Sequence, residues 1–194
     1  MTMAKDDIIL IGAGGHCRSV IDVIEQEGRY KIAGLIDEKR NVGQDVLGYQ
    51  VIGCDDELAE LRGTYSNALV TVGHVYDNSI RVRLFNKIKG LGFFIPTVVS
   101  PLAYVSRSAS LGEGSVVMHH ALVNAKSKVG YNCIINTKAL IEHDVIVGNH
   151  CHISTASVLN GGAQVSDNVF FGSNATSVQG CLVQGFVRAA HLCK

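Results

Sequence analysis

From Val99 onward an aliphatic side chain returns every six residues: Val99, Val105, Leu111, Val117, Val123, Val129, Ile135, Ile141, Val147, Ile153, Leu159 and Val165. Phe171 continues the series, Ser177 interrupts it and Val183 resumes it. Four residues after each aliphatic stands a small or modest one, among them Ala103, Ala109, Ser115, Ala121, Ser127, Cys133, Ala139, Val145, Cys151, Ser157 and Ala163. A helix needs a period near 3.6 and an ordinary strand bare alternation. A sustained period of six fits neither; it fits a β-solenoid of hexapeptides. Three hexads make one coil of a triangular prism, so residues 99–188 supply about five coils and roughly 24 Å of height. The third hexad position, counted from the aliphatic, is mostly polar (Arg107, Glu113, His119, Tyr131, Thr137, His143, Asn149, Thr155, Asp167), as outward corners should be. The position before each aliphatic holds Val116, Leu122, Ile134, Leu140, Ile146 and Val158, an apolar outer face that predicts self-association.

Residues 1–97 lack this period. Ile8–Ile11 reads as a buried strand, Gly12-Ala13-Gly14-Gly15-His16 as a glycine turn, and 18–27 as an amphipathic helix. A second strand over 31–36 ends at Asp37, and 55–62 reads as a helix. A third strand over 68–72 closes on Gly73, and 78–89 reads as a helix stopped by Gly90. Alternation of β and α at this scale predicts a small parallel sheet. The chain's only two prolines, Pro96 and Pro101, mark the change of pattern, which divides the chain into 1–97 and 98–194.

Lysine plus arginine equals aspartate plus glutamate, 17 each, so no global field draws the chain to nucleic acid or to a membrane surface. No apolar run reaches the ~18 residues of a membrane span. Lys5-Asp6-Asp7 leads directly into a strand rather than into a signal peptide, so a cytoplasmic location is expected. The six cysteines form no C-x-x-C pair and read as reduced thiols; Cys133 and Cys151 are the same inward position one coil apart.

Two places carry candidate chemistry. Gly12-x-Gly14-x-x-Cys17 is a strand–turn–helix whose N–H groups suit a phosphate, although cysteine stands where a dinucleotide fingerprint has its third glycine. Asp37, at the end of the second strand, is positioned to accept hydrogen bonds from a ribose or a base. In the repeat region Glu142-His143-Asp144 flanks an outward histidine with carboxylates. A carboxylate on one ring nitrogen sets the tautomer and leaves the other nitrogen as a base. No metal site is expected from the remaining histidines.

These motifs resemble the sugar acetyltransferases of the NeuD and PglD type. The matching residues are Gly12–His16, Ile36-Asp37-Glu38 and Thr71-Val72-Gly73, then Ile135-Asn136-Thr137, Ile141–Asp144, His152-Ile153-Ser154 and Val158–Gly161. The resemblance implies a Rossmann-like α/β domain followed by a left-handed parallel β-helix, and a homotrimer with acetyl-CoA between neighbouring prisms. It implies His143 as general base with Asp144 raising its basicity, and His152, Gly161 and Ser173 as acetyl-CoA contacts. It implies Gly14, Gly15, His16, Asp37, Glu38 and Gly73 as the pocket for a nucleotide-linked sugar. The implied reaction is acetyl transfer to an amine or hydroxyl of a nucleotide-linked sugar or sialic acid in surface glycan synthesis. After Thr176 the sequence departs from the family pattern, and the expectation is an atypical, shortened end to the solenoid. Two alternatives stand beside this reading: a catalytically inactive trimer that binds a sugar nucleotide, and a metal-dependent hydratase on the same solenoid.

Overall fold

The computed structural model describes residues 5–193; the outer ends of the two expected domains, residues 1–4 and 194, lie outside the described residues. The chain divides into two compact units. One comprises residues up to Gly73 together with Ser79–Pro96; the other comprises His74–Asn78 together with everything from Thr97.

The first unit is a five-stranded sheet. Its strands are β1 (Asp6–Ile11), β2 (Tyr30–Asp37), β3 (Asp45–Val46), β4 (Tyr49–Cys54) and β5 (Asn67–Val70), in the spatial order β3-β4-β2-β1-β5. All pairings are parallel except β3 with β4. Ile8, Ile9, Leu10 and Ile11 are fully buried, as befits a central strand covered on both faces. Helix α1 (Gly15–Glu27) buries Cys17, Val20, Ile21 and Ile24, one stripe at helical spacing, and ends on Gly28 in the left-handed conformation. Helix α2 is a single turn (Leu58–Leu61) preceded by a 3₁₀ turn, shorter than the eight-residue helix expected there. Helix α3 spans Ser79–Gly90. The β3–β4 hairpin was not legible from apolar alternation. Its signal is the Leu47-Gly48 turn, where both residues take positive φ as a two-residue hairpin loop requires.

The second unit is a left-handed parallel β-helix. Its two-residue strands run from Val98–Val99 to Leu192–Cys193 and stack into three parallel sheets of six, five and six strands. Each coil hydrogen-bonds to the next, as in Ile134 N–H to the Cys151 carbonyl (2.9 Å) and Ile146 N–H to the Ala163 carbonyl (3.0 Å). At successive corners one residue per hexad adopts positive φ: His120, Lys126, Asn132, Lys138, Asp144, His150 and Ala156, with Asn168 and Asn174 further on. Within, Val117, Ile135, Ile153 and Phe171 stack in register, all fully buried. Cys133 and Cys151 are fully buried at the small inward position, their thiols donating to the carbonyls of Gly148 and Ser166 (both 3.1 Å). The contact with Cys133 and burial push the Cys151 thiol far above the ordinary thiol range, so the pair is packing material and not a reactive dithiol.

Two expectations change. Val116 and Ile134 are fully buried; Ile146 is 45% exposed, while Leu122, Leu140 and Val158 are only partly covered. The solenoid also continues past the point where the sequence pattern falters. Ser177 stays inside and its hydroxyl accepts the Asn160 N–H (2.9 Å), while Val187 and Cys193 fill later inward positions. The last coil is shortened: Phe170 pairs with Phe186, and Thr176 with Leu192, with Gly185 turning the chain at positive φ. Among the described residues no helix is long and apolar enough to cross a membrane.

Phe171 is the largest side chain in the solenoid interior, with neighbours fixed by strand register on both sides. Phe171→Ala should lower unfolding free energy by about 3–5 kcal/mol, the cost of a large core cavity, measurable as a reduced urea midpoint.

Candidate active site

All six residues expected at the nucleotide-sugar pocket, Gly14, Gly15, His16, Asp37, Glu38 and Gly73, line one cavity of about 800 Å³ in the first unit. It opens at the carboxyl ends of β1, β2, β4 and β5, where β1 lies between strands reached in opposite directions; such a switch point is the usual ligand crevice of an open α/β sheet. Gly12 makes the turn possible: its φ is +104°, and a Cβ there would stand 2.4 Å from Val72 Cγ2. Thr71 hydroxyl donates to the Gly12 carbonyl (2.6 Å), and the fully buried Arg81 donates to the carbonyls of Val70 (2.8 Å) and Val72 (2.9 Å). These bonds hold the two glycine-bearing walls together. Cys17, in place of a third glycine, is fully buried, and burial pushes its thiol up to about 11, so it packs and does not react.

Asp37 already works within its own loop: Oδ1 accepts the Glu38 N–H (2.9 Å) and Oδ2 accepts from Asn41 (3.2 Å). Each oxygen keeps a further lone pair for a ligand. Sequence reasoning missed Lys39, Asp55, Asp56 and Arg83, which also line the cavity; Arg83 pairs with Asp55 at 3.1 Å. Four carboxylates (Asp37, Glu38, Asp55, Asp56) thus face two cations (Lys39, Arg83), an environment suited to the hydroxyl and N–H donors of a nucleoside.

On the β-helix, His143 Nδ1 donates to Asp144 Oδ2 at 2.9 Å, both side chains standing more than half exposed at a corner. Asp144 takes φ of +60°, a conformation aspartate tolerates better than most residues, and this turns its carboxylate back onto the ring. With the proton on Nδ1, Nε2 carries the free lone pair. Gly161 lies one coil on: a Cβ there would come within 2.8 Å of His143 Nε2 and Cε1. The Glu142 carboxylate accepts from Asn124 (2.9 Å) and from the His143 N–H (3.2 Å), anchoring the corner from the coil below.

His152 and Ser173 meet elsewhere, in a cavity of about 710 Å³ that Gly161 does not line. His152 is buried, its Nδ1 donating to the His74 carbonyl (2.7 Å) and its Nε2 accepting from Asn136 (3.0 Å). The Ser154 and Ser173 hydroxyls lie 2.9 Å apart. An aromatic wall that the sequence pattern did not reveal completes this cavity: Phe170 stacks on Phe186 (5.3 Å), and Phe186 on Tyr76 (5.0 Å). Tyr76 arrives on the short segment His74–Asn78, which belongs to the β-helix unit and hydrogen-bonds it through Asn78 to the His150 carbonyl (3.1 Å). Among the described residues no cluster of three or more histidine, cysteine or acidic side chains could hold a metal ion.

Residues 7–88 match the PglD N-terminal domain. Over the whole chain the structure is similar to that of PerB from Caulobacter crescentus, solved in complex with CoA and GDP-perosamine: 34% identity, TM-score 0.90, covering 100% of this chain and 91% of that one. It is similar also to the acetyltransferase domain of PglB from Neisseria gonorrhoeae in complex with acetyl coenzyme A: 31% identity, TM-score 0.86, covering 96% of this chain and 89% of that one. The UDP-N-acetylbacillosamine N-acetyltransferase of Bacillus subtilis is 31% identical over 114 residues, 58% of this chain. The chain spans at most about half the length of the curated relatives it matches. With the two-unit fold shared across nearly the full length of these solved structures, the chain belongs to the PglD-like family of sugar N-acetyltransferases.

Proposed function

We propose that this protein transfers an acetyl group from acetyl-CoA to an amine on a nucleotide-linked sugar. The observation that carries this reading is the His143–Asp144 pair, with Nδ1 held by a carboxylate at 2.9 Å and Nε2 facing a glycine that leaves it accessible. As the amine nitrogen bonds to the acetyl carbon and the carbon–sulfur bond breaks, Nε2 takes the proton that the nitrogen sheds. That proton then goes to the departing thiolate, giving CoA thiol and leaving His143 neutral for the next cycle. Asp144 stabilises the transient imidazolium. His152, Gly161 and Ser173 are assigned to acetyl-CoA, and Gly14, Gly15, His16, Asp37, Glu38 and Gly73 to the pocket for the nucleotide-linked sugar. Relatives named UDP-N-acetylbacillosamine N-acetyltransferase and GDP-perosamine N-acetyl transferase support an amine over a hydroxyl. A cytoplasmic location goes with acetyl-CoA as donor, and a homotrimer with the exposed Ile146 and the half-covered Leu122, Leu140 and Val158.

The direct test is thiol release from acetyl-CoA across a panel of nucleotide-linked amino sugars and free sialic acids; turnover with the free sugars alone would overturn the acceptor assignment. His143→Ala should cut kcat about 100-fold or more with acetyl-CoA affinity near normal, whereas His152→Ala should weaken acetyl-CoA binding by calorimetry. Gly161→Ala should displace the imidazole without unfolding the coil, seen as a changed His143 ring signal by NMR together with reduced kcat. Asp37→Ala should weaken the sugar nucleotide by about 1–3 kcal/mol and leave acetyl-CoA binding unchanged. Light scattering should return three times the 20.7 kDa chain mass.

A further inference from the structure

The corner that carries His143 is tied to the coils above and below it. Glu142 N–H donates to the Leu159 carbonyl (2.9 Å), and the His143 carbonyl accepts from Gly162 (3.0 Å), both one coil on. From the coil below, the buried Ser127 hydroxyl donates to the Glu142 carbonyl (2.5 Å), and the Ala125 carbonyl accepts the Asp144 N–H (3.0 Å). The last tie runs between side chains. Asn124 Nδ2 donates to Glu142 Oε2 at 2.9 Å, and the same oxygen accepts the His143 N–H at 3.2 Å. The Asn124 amide has one orientation open to it: its oxygen accepts the Ala125 N–H (2.8 Å), so its NH2 must face the carboxylate. Asn136, at the same hexad position, repeats the device, accepting the Thr137 N–H (2.8 Å) and meeting His152 Nε2 through its NH2 (3.0 Å).

Two carboxylates flank one imidazole in the chain, yet among the described residues the ring's Nδ1 bonds to Asp144 alone (2.9 Å). Glu142 makes no ion pair among the described residues; its carboxylate is held by neutral donors, one amide and one backbone N–H. Without Asn124 this half-buried carboxylate would keep a single 3.2 Å bond. A negative charge on the residue next to His143 would then be released to compete with Asp144 for the ring proton. We infer that Asn124 is a positioning residue for acetyl transfer: by holding Glu142 it fixes the corner that presents His143 and leaves the imidazole to Asp144. This rests on the function proposed above, in which Nε2 takes the proton of the amine. A ring oriented by one carboxylate offers Nε2 in one tautomer and one direction; a ring shared between two does not.

The experiment is a swap of donor and acceptor. In Asn124→Asp two carboxylates meet and the bond is lost. In Glu142→Gln the amide oxygen can still accept from Asn124 and from the His143 N–H. In Asn124→Asp/Glu142→Gln the glutamine NH2 donates to the introduced carboxylate, which restores the tie in reverse. Thiol release by the full chain is followed with GDP-perosamine and a UDP-linked 4-amino sugar as acceptors, and the His143 ring signals are followed by NMR. Asn124→Asp should cut kcat about tenfold or more, keep both KM values within about twofold, and shift the His143 ring signals. Glu142→Gln should keep kcat within about threefold, and the double variant should recover most of the loss, which damage to coil packing would not allow. Unchanged kcat and ring signals in Asn124→Asp, or a double variant no better than Asn124→Asp, overturns the assignment and leaves the function standing. A loss of about tenfold in Glu142→Gln alone also overturns it, because the reaction would then need the charge and not the tie. Absence of turnover by the unsubstituted protein with every nucleotide sugar overturns the function, and unmoved ring signals in Asn124→Asp then overturn the positioning role separately.

Discussion

The β-helix depends on filling a narrow interior from within its own chain. Two-residue strands are too short to be stable singly; they persist because each carbonyl and N–H is paired to the coil above or below while one aliphatic and one small residue per hexad close the space between three sheets. Every inward position is therefore committed to volume, and every function must be displayed at a corner or on an outer face. The corners bear a conformational cost as well, one positive-φ residue per hexad, and the candidate chemistry uses that cost: the strained backbone of Asp144 is what turns its carboxylate onto His143.

The solenoid was legible because its period is covalent in origin, repeating in the sequence the spacing that hydrogen bonding imposes in space. The His143–Asp144 pair was legible for the same reason, since the third and fourth hexad positions point outward together. Ser177 was misleading because a polar residue can occupy an inward position when its hydroxyl finds a backbone donor, here Asn160 N–H. Val116 and Ile134 were misleading because periodicity reports which side of a strand a residue faces, not what later covers that side. The aromatic wall of Tyr76, Phe170 and Phe186 joins residues about a hundred positions apart and leaves no local trace.

The N-terminal unit obeys a different logic. Its cavity is built from loop backbone at strand ends, so its shape rests on a few bonds among loops: Thr71 to Gly12, and Arg81 to Val70 and Val72. A fully buried arginine whose donors meet backbone carbonyls pins a wall without contributing to its surface. The pocket is acidic and donor-seeking, with Asp37, Glu38, Asp55 and Asp56 among its lining residues.

The in-register stacking that brings Gly161 against His143 also makes the solenoid a ruler. Residues eighteen apart are separated by one strand spacing of about 4.8 Å, whatever their identity. Lengthening such a chain by one whole coil moves everything beyond it by one graduation without rotating any corner. Shortening a turn by two residues, as between Val183 and Phe186, restores the strand stack but shifts the numbering of every later corner. Evolution in this architecture can therefore set the spacing between two corner side chains in discrete steps, by duplication or loss of coils, while leaving the packing of each coil as it was.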